Sequence, residues 1–307
     1  MVEQEEQAHT NKVKGKHRDK QSYANTRKTG KEQYYTNPNV VDLCLGEVQK
    51  HIDLKDKIIL EPAGGTGEFI EGFRRIGISD AHVVSYDIEP KHELVKEGNY
   101  LEVEQFPSNN MVAITNPPFG RMSSLAVQFF IHGAKHCDYI CYLIPKSWRK
   151  WTMLNRLPKN FHLISDISLP KDCFYVPGEE SKKGVLETVF QIWEKREEER
   201  KEIKIPDHGL VEKVKVPKDK IVKGANFSMI VFGHSCGRCE DITTPEVEAK
   251  TTTMYLKIDR QDVKDALKEI DFSEFYNNVA YVQALSLQEI NYKLNEKFGL
   301  SNFNFEE

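Results

Sequence analysis

The chain has 307 residues, enough for one large domain with an ample core and a smaller companion. Hydrophobic content of 39%, charged content of 29%, no apolar run of membrane-span length and an acidic, polar Met1–Thr10 point to a soluble protein of the cytoplasm, with no membrane partner and no secretory leader. Cysteines scattered at 44, 137, 141, 173, 236 and 239 form no disulfide framework, and a net charge of −4 excludes indiscriminate coating of nucleic acid while leaving room for local basic patches.

Residues 1–30 carry few apolar side chains and no period. Lys12, Lys14, Lys16, Arg18, Lys20, Arg27 and Lys28 make them a flexible basic tail, either a phosphate-binding arm or simply solvated chain. A domain spanning 31–195 follows. Asn37 can cap a helix that has Pro38 at its first position and Val40, Val41, Cys44, Leu45 and Val48 as its apolar face. Taken alone, Tyr34 and Tyr35 before that cap are hydrophobic staples.

Lys57–Leu60 reads as a buried strand running into Glu61-Pro62-Ala63-Gly64-Gly65-Thr66-Gly67. Three glycines in four positions between a strand and a helix make a tight turn that a ligand can approach closely. Here the turn opens with a carboxylate, which repels phosphate and suits a cation. The next strand, Ala81–Tyr86, ends at Asp87, twenty residues past Gly67, where Rossmann-like folds hold ribose hydroxyls. Ile88 could cover an adenine face. Residues 98–106 read as a weak strand.

Met111–Thr115 is a short apolar run that stops at Asn116-Pro117-Pro118-Phe119. Neither proline can extend a ladder, so a rigid turn presents an amide, a free carbonyl and an aromatic ring side by side. An exocyclic amine stacked on Phe119 could donate both hydrogens there. Leu125–Ala134 reads as a helix and Tyr139–Ile144, closed by Pro145, as another buried strand. Alternating strands and helices predict a mostly parallel, doubly wound α/β sheet with ligands at its carboxyl edge, where the glycine turn, Asp87, Asn116 and Pro145 all fall.

Trp148, Arg149 and Lys150 lie in a stretch with Lys146 and Trp151 and read as an exposed loop for phosphates and unstacked bases; an amphipathic helix burying both tryptophans is the alternative. His162–Leu169 and Leu186–Trp193 alternate as strands around a loop with exposed aromatics at 171–178. The charge run 196–202 reads as a solvated linker, and 203–307 as a small C-terminal α+β accessory or target-recognition region, with Ser286 and Glu289 spaced as a capping box. Cys236 and Cys239 form one Cys-x-x-Cys without a second ligand pair, so no metal is expected.

Tyr35-Thr36, Glu61–Gly67, Asp87, Asn116–Phe119 and Ile144-Pro145 follow the order of N6-adenine amino methyltransferases, and the chain resembles their gamma subgroup over about residues 31–195. The resemblance implies a Rossmann-like class I methyltransferase fold and S-adenosyl-L-methionine as cofactor. It implies cofactor contacts from Tyr35, Thr36, Glu61, Pro62, Ala63, Gly65, Gly67, Asp87, Ile88, Asn99 and Tyr100. Asn37 stands between Thr36 and Pro38 where the family has a direct Thr-Pro, and Asn99 replaces the family's aspartate. Catalysis falls to Asn116, Pro117, Pro118 and Phe119, with Phe174 as the loop aromatic against the target base. The expected partner is nucleic acid, DNA ahead of RNA. A protein-glutamine methyltransferase, which has tyrosine in the last place of the turn, and a non-catalytic binding subunit are the rival readings.

Overall fold

The computed structural model describes residues 35–108, 110–175 and 186–302; the basic tail over 1–30 and Val176, Pro177 and Gly178 of the aromatic loop lie outside them. Nine strands occupy the first part of the described chain: β1 (Tyr35–Thr36), β2 (Ile58–Glu61), β3 (Val83–Asp87), β4 (Val95–Glu97), β5 (Met111–Thr115), β6 (Cys137–Pro145), β7 (Phe161–Ser168), β8 (Phe174–Tyr175) and β9 (Thr188–Lys195). Seven form one sheet in the order β4-β3-β2-β5-β6-β9-β7, while β1 pairs with β8 alone. Pairing from β4 to β6 is parallel, and β9 runs antiparallel to both of its neighbours.

Both faces of this sheet are covered, which explains the unbroken apolar runs of β5 and β6. Val112 and Ile114 join Ile59 and Leu143 beneath α1 (Pro38–His51) and α2 (Glu68–Arg75). Met111 and Ala113, one residue out of phase, join Leu60, Tyr142 and Ile144 beneath α3 (Ser124–Gly133). Asn37 caps α1 as expected, its side chain accepting from the Asn39 amide at 3.2 Å. The result is a Rossmann-like sheet whose carboxyl edge gathers the ends of β2, β3, β5 and β6.

Residues 98–106 do not form the expected strand. Tyr100–Glu102 make one 3₁₀ turn capped by Asn99, and the edge strand β4 lies just before it. Only Val95 of β4 is buried, so its pattern carries almost no apolar signal.

The C-terminal part holds β10 (Glu212–Val214), β11 (Ile221–Lys223), β12 (Phe227–Ile230), β13 (Cys239–Asp241), β14 (Glu246–Glu248) and β15 (Thr253–Lys257). Four make an antiparallel sheet, β10-β15-β12-β13, and β11 pairs with β14 as a separate ribbon. A short helix, α4 (Trp151–Leu154), precedes them; α5 (Gln261–Glu269), α6 (Ser273–Tyr276) and α7 (Leu287–Lys297) follow. Phe227, Met229 and Leu256 pack with Val263, Ile290 and Leu294 into a core of their own. The capping box at the start of α7 is present, with Ser286 and Glu289 each bonded to the other's backbone amide.

The charge run over 196–202 is exposed at every residue but Arg200, which anchors it. The Arg200 guanidinium donates to the carbonyls of Leu154, Leu157 (2.9 Å) and Phe161 (3.1 Å), and the His162 ring bonds the Glu198 carbonyl at 2.7 Å. These contacts strap the segment against the base of β7.

Candidate active site

A cavity of about 530 Å³ opens at the carboxyl edge of the sheet, within the range of roughly 300–1,000 Å³ usual for small-ligand sites. The glycine turn forms one wall. The Gly64 amide donates to the Tyr86 carbonyl at 2.9 Å, and Gly65 adopts φ +50°, presenting its amide to Asp87 Oδ2 at 2.9 Å. A Cβ on Gly64 would meet Ser85 Oγ at 2.3 Å, so only glycine fits between the strands there. Asp87 Oδ1 accepts from the Glu89 amide at 2.8 Å. Both carboxylate oxygens are thus fixed at the end of β3 and keep lone pairs for a ligand's hydroxyls.

Tyr35, Thr36, Pro62, Ala63, Gly65 and Asp87 all line the cavity, as do Ile88, Asn99 and Tyr100. Ile88 stands at the rim, 58% exposed. Tyr100 is buried at the floor with its ring 5.0 Å from that of Phe129. Asn99 spends its side chain locally, accepting from the Leu101 amide at 3.1 Å and donating to Glu102 at 2.8 Å.

Glu61 and Gly67 are not on the cavity wall. Glu61 is 1% exposed; its Oε1 accepts from the Thr115 hydroxyl, and its Oε2 has no hydrogen-bond partner among the described residues. Burial pushes its pKa well above the usual carboxylate range, more than the Thr115 hydroxyl and the Ala63 amide pull it down. The carboxyl is shut off from the cavity by its burial. It ties the end of β2, where the glycine turn begins, to the end of β5, where Asn116 begins. Gly67 makes the turn's last corner at φ +83°, where a Cβ would lie 2.3 Å from the His92 ring.

Asn116, Pro117, Pro118 and Phe119 line the same cavity as the glycine turn and Asp87. The backbone bends away from β5 here, and the Phe119 carbonyl accepts from the Leu125 amide at 3.2 Å at the start of α3. Phe119 meets Phe174 edge to face, centroids 6.2 Å apart at 63°, so the two rings do not form a parallel slot. Phe174 belongs to the β1–β8 ribbon, in which Tyr35 also stands beside Tyr175 at 5.8 Å. Two further residues fix that ribbon: the Lys91 ammonium donates to the Tyr35 hydroxyl at 2.6 Å, and the Tyr175 hydroxyl donates to Glu68 at 2.7 Å. Lys91 and Glu68 escaped sequence reasoning because their partners are distant in the chain; a basic residue four positions after Asp87 was the one available signal.

Trp148, Arg149 and Lys150 do not reach the cavity. The stretch after β6 winds into a 3₁₀ turn that sends Trp148 inward, 0% exposed, against Phe130. Arg149 pairs with Asp166 on β7 and bonds Ser168 at 3.0 Å. The Lys150 ammonium donates to both oxygens of Glu289 (2.8 and 3.1 Å) and to the Ala284 carbonyl at 3.0 Å. Trp151 packs with Phe275 and Tyr292. The loop expected to hold nucleic acid instead holds the C-terminal part of the chain.

The chain matches no family model and no curated protein. It is similar to solved structures over little more than half its length. One is a proposed RNA methyltransferase from Pyrococcus horikoshii, at 16% identity and TM-score 0.44, covering 54% of this chain and 87% of that one. Another is the methyltransferase subunit of a type I restriction-modification system from Streptococcus thermophilus, at 15% and 0.40, covering 53% and 45%. A third is TrmN from Thermus thermophilus, at 15% and 0.37, covering 52% and 48%. The sheet, parallel except for one antiparallel strand inserted next to its edge, is of the Rossmann-like type.

The charges on the wall limit what the cavity could take. Glu68, Asp87 and Glu89 face the cavity, and Arg121 is the sole basic residue lining it among the described residues. An acidic wall with a hydroxyl-binding Asp87 suits a ribose attached to a cation and repels a diphosphate. No helix of the described residues is long and apolar enough to cross a membrane.

Proposed function

We propose that the protein transfers a methyl group from S-adenosyl-L-methionine to the exocyclic N6 amine of adenine in DNA. The observation that carries this is one cavity lined both by the Ala63–Thr66 turn with Asp87 and by Asn116–Phe119. Tyr35, Thr36, Ala63, Gly65, Asp87, Ile88, Asn99 and Tyr100 would hold the cofactor, which supplies an electrophilic methyl group. Asn116 Oδ1 and the Pro117 carbonyl accept the two amine hydrogens, drawing the nitrogen toward tetrahedral geometry and exposing its lone pair. Pro118 keeps the turn rigid, and Phe119, with Phe174 edge-on behind it, offers an aromatic face to the base. Positioning and fixed dipoles do the work, and no dedicated general base is required. Thr115, held by Glu61, keeps Asn116 in register with the cofactor turn.

Nucleic acid is favoured over a glutamine side chain by phenylalanine at 119 and by two guanidiniums, Arg121 on the cavity wall and Arg156 bonded to the carbonyl of the next residue, Met122. Arg121 and Arg156 have no carboxylate partner among the described residues, which suits a phosphate backbone. The basic tryptophan stretch no longer contributes to that preference.

Asn116→Ala is the test. Cofactor affinity, read by calorimetry, is expected to stay within about threefold, while methyl transfer falls by about 10³-fold or more, as when a group acting mainly in the transition state is removed. Turnover near that of the unaltered protein would sink the assignment.

A further inference from the structure

The residues just after Phe119 hold a conformation that ordinary side chains avoid. Gly120 turns at φ +68°, and Met122 and Ser123 are both left-handed, at φ +53° and +56°. Consecutive non-glycine residues in this region are unfavourable and persist where the surroundings impose them, typically beside functional sites. Here the Ser123 amide donates to the Gly120 carbonyl at 3.3 Å, and the Arg156 guanidinium donates to the Met122 carbonyl at 3.0 Å. The consequence is that Met122 is 81% exposed, the most exposed large apolar side chain among the described residues.

Its surroundings are specific. Arg121, immediately before it, lines the cavity. Arg156 also reaches Met153 Sδ at 3.1 Å, so both of these partners are neutral. An unbranched apolar side chain thus stands exposed on the residue next to cavity-lining Arg121, that residue's own carbonyl holds Arg156, and no described carboxylate offsets either guanidinium. A loop that needed only to turn could place glycine at 122 and keep the apolar group out of water.

We propose that Met122 is a wedge for duplex DNA, entering the base stack to fill the gap left when the target adenine is drawn into the cavity, with Arg121 and Arg156 against the flanking phosphates. This rests on the methyl-transfer reading above. A base inside a duplex must leave its stack before its amine can reach Asn116, and apolar side chains inserted at base steps offset the lost stacking. Methionine's flexible thioether adapts to a gap of irregular shape.

Methyl transfer from labelled S-adenosyl-L-methionine to genomic DNA, native and heat-denatured, tests the wedge without knowledge of the recognition sequence. Met122→Ala is expected to lower kcat/KM on native DNA by about 10- to 100-fold and to change it less than about twofold on denatured DNA, since only the duplex must be opened. Met122→Leu should restore native-DNA activity to within about threefold, and all three proteins should unfold at the same temperature because the side chain is solvent-exposed. Equal loss on both forms, or no loss on native DNA, overturns the wedge. So does an unaltered protein that modifies denatured DNA alone, which leaves the methyl-transfer reading standing. An unaltered protein that binds the cofactor and modifies neither form of DNA overturns that reading and the wedge together.

Discussion

Two stretches leave adjacent parallel strands at the same edge of the sheet and meet opposite fates. After β5, Asn116–Gly120 turns outward and lines the cavity. After β6, Lys146–Trp151 carries two tryptophans and three cations yet turns inward and is spent on structure. The difference lies in the backbone. Pro117 and Pro118 forbid helical winding, and both line the cavity. The residues after Pro145 are free to wind into a 3₁₀ turn, and one turn is enough to bury Trp148 under Phe130. A motif defined by backbone constraint keeps its direction; one defined by side-chain types alone does not.

The sharpest way to break this contrast is Trp148→Ala. A fully buried indole removed from the core should cost about 3–5 kcal/mol in chemical unfolding. Trp148→Phe should cost much less, because the indole N–H has no acceptor to lose. An external, base-stacking tryptophan would instead leave stability untouched. Lys150→Ala comes next, at about 2–3 kcal/mol for losing charged hydrogen bonds to a carboxylate only 4% exposed. Limited proteolysis should then cut first in the C-terminal part, and unchanged protease resistance would contradict the tether.

Thr115→Val sharpens the other half. It removes the hydroxyl that joins Glu61 to the residue before Asn116, and kcat is expected to fall about tenfold with the cofactor KM unchanged, the pattern of an interaction felt in the transition state. Thr115→Ser should recover most of it. Glu61→Gln is the mildest change. Because burial keeps the Glu61 carboxyl protonated well above the usual range, an amide of the same shape should leave kcat at neutral pH within about threefold. The sign with pH follows from linkage. Stability from a raised carboxyl is fully present below the ordinary carboxylate pKa and is lost as pH rises through the folded one, so the stability of Glu61→Gln relative to Glu61 should increase with pH. A relative stability that is flat between pH 5 and 9 would mean that Glu61 is already ionised.

Much of the cavity was legible in the sequence. Gly65, Asp87 and Asn116 each sit where a buried strand ends, so the doubly wound pattern brings them to one edge whatever the details of packing. Glu61 was legible as a position at the end of its strand, but its bond to Thr115, the residue before Asn116 on the neighbouring strand, was not. Lys150 could not be read correctly at all, since its partner Glu289 lies 139 residues further on. The edge strand Val95–Glu97 and the central strand Thr253–Lys257 show the limits of pattern at both ends, the first too polar to stand out and the second flanked by no turn signal strong enough to mark it.

The most direct measurement offers the purified protein labelled S-adenosyl-L-methionine with duplex DNA, single-stranded DNA or RNA, and identifies the modified nucleoside after digestion. Label in N6-methyladenosine's deoxy form, from duplex DNA above the other two, is the predicted result. Label in a cytosine, in RNA alone, or in none of the three would contradict it.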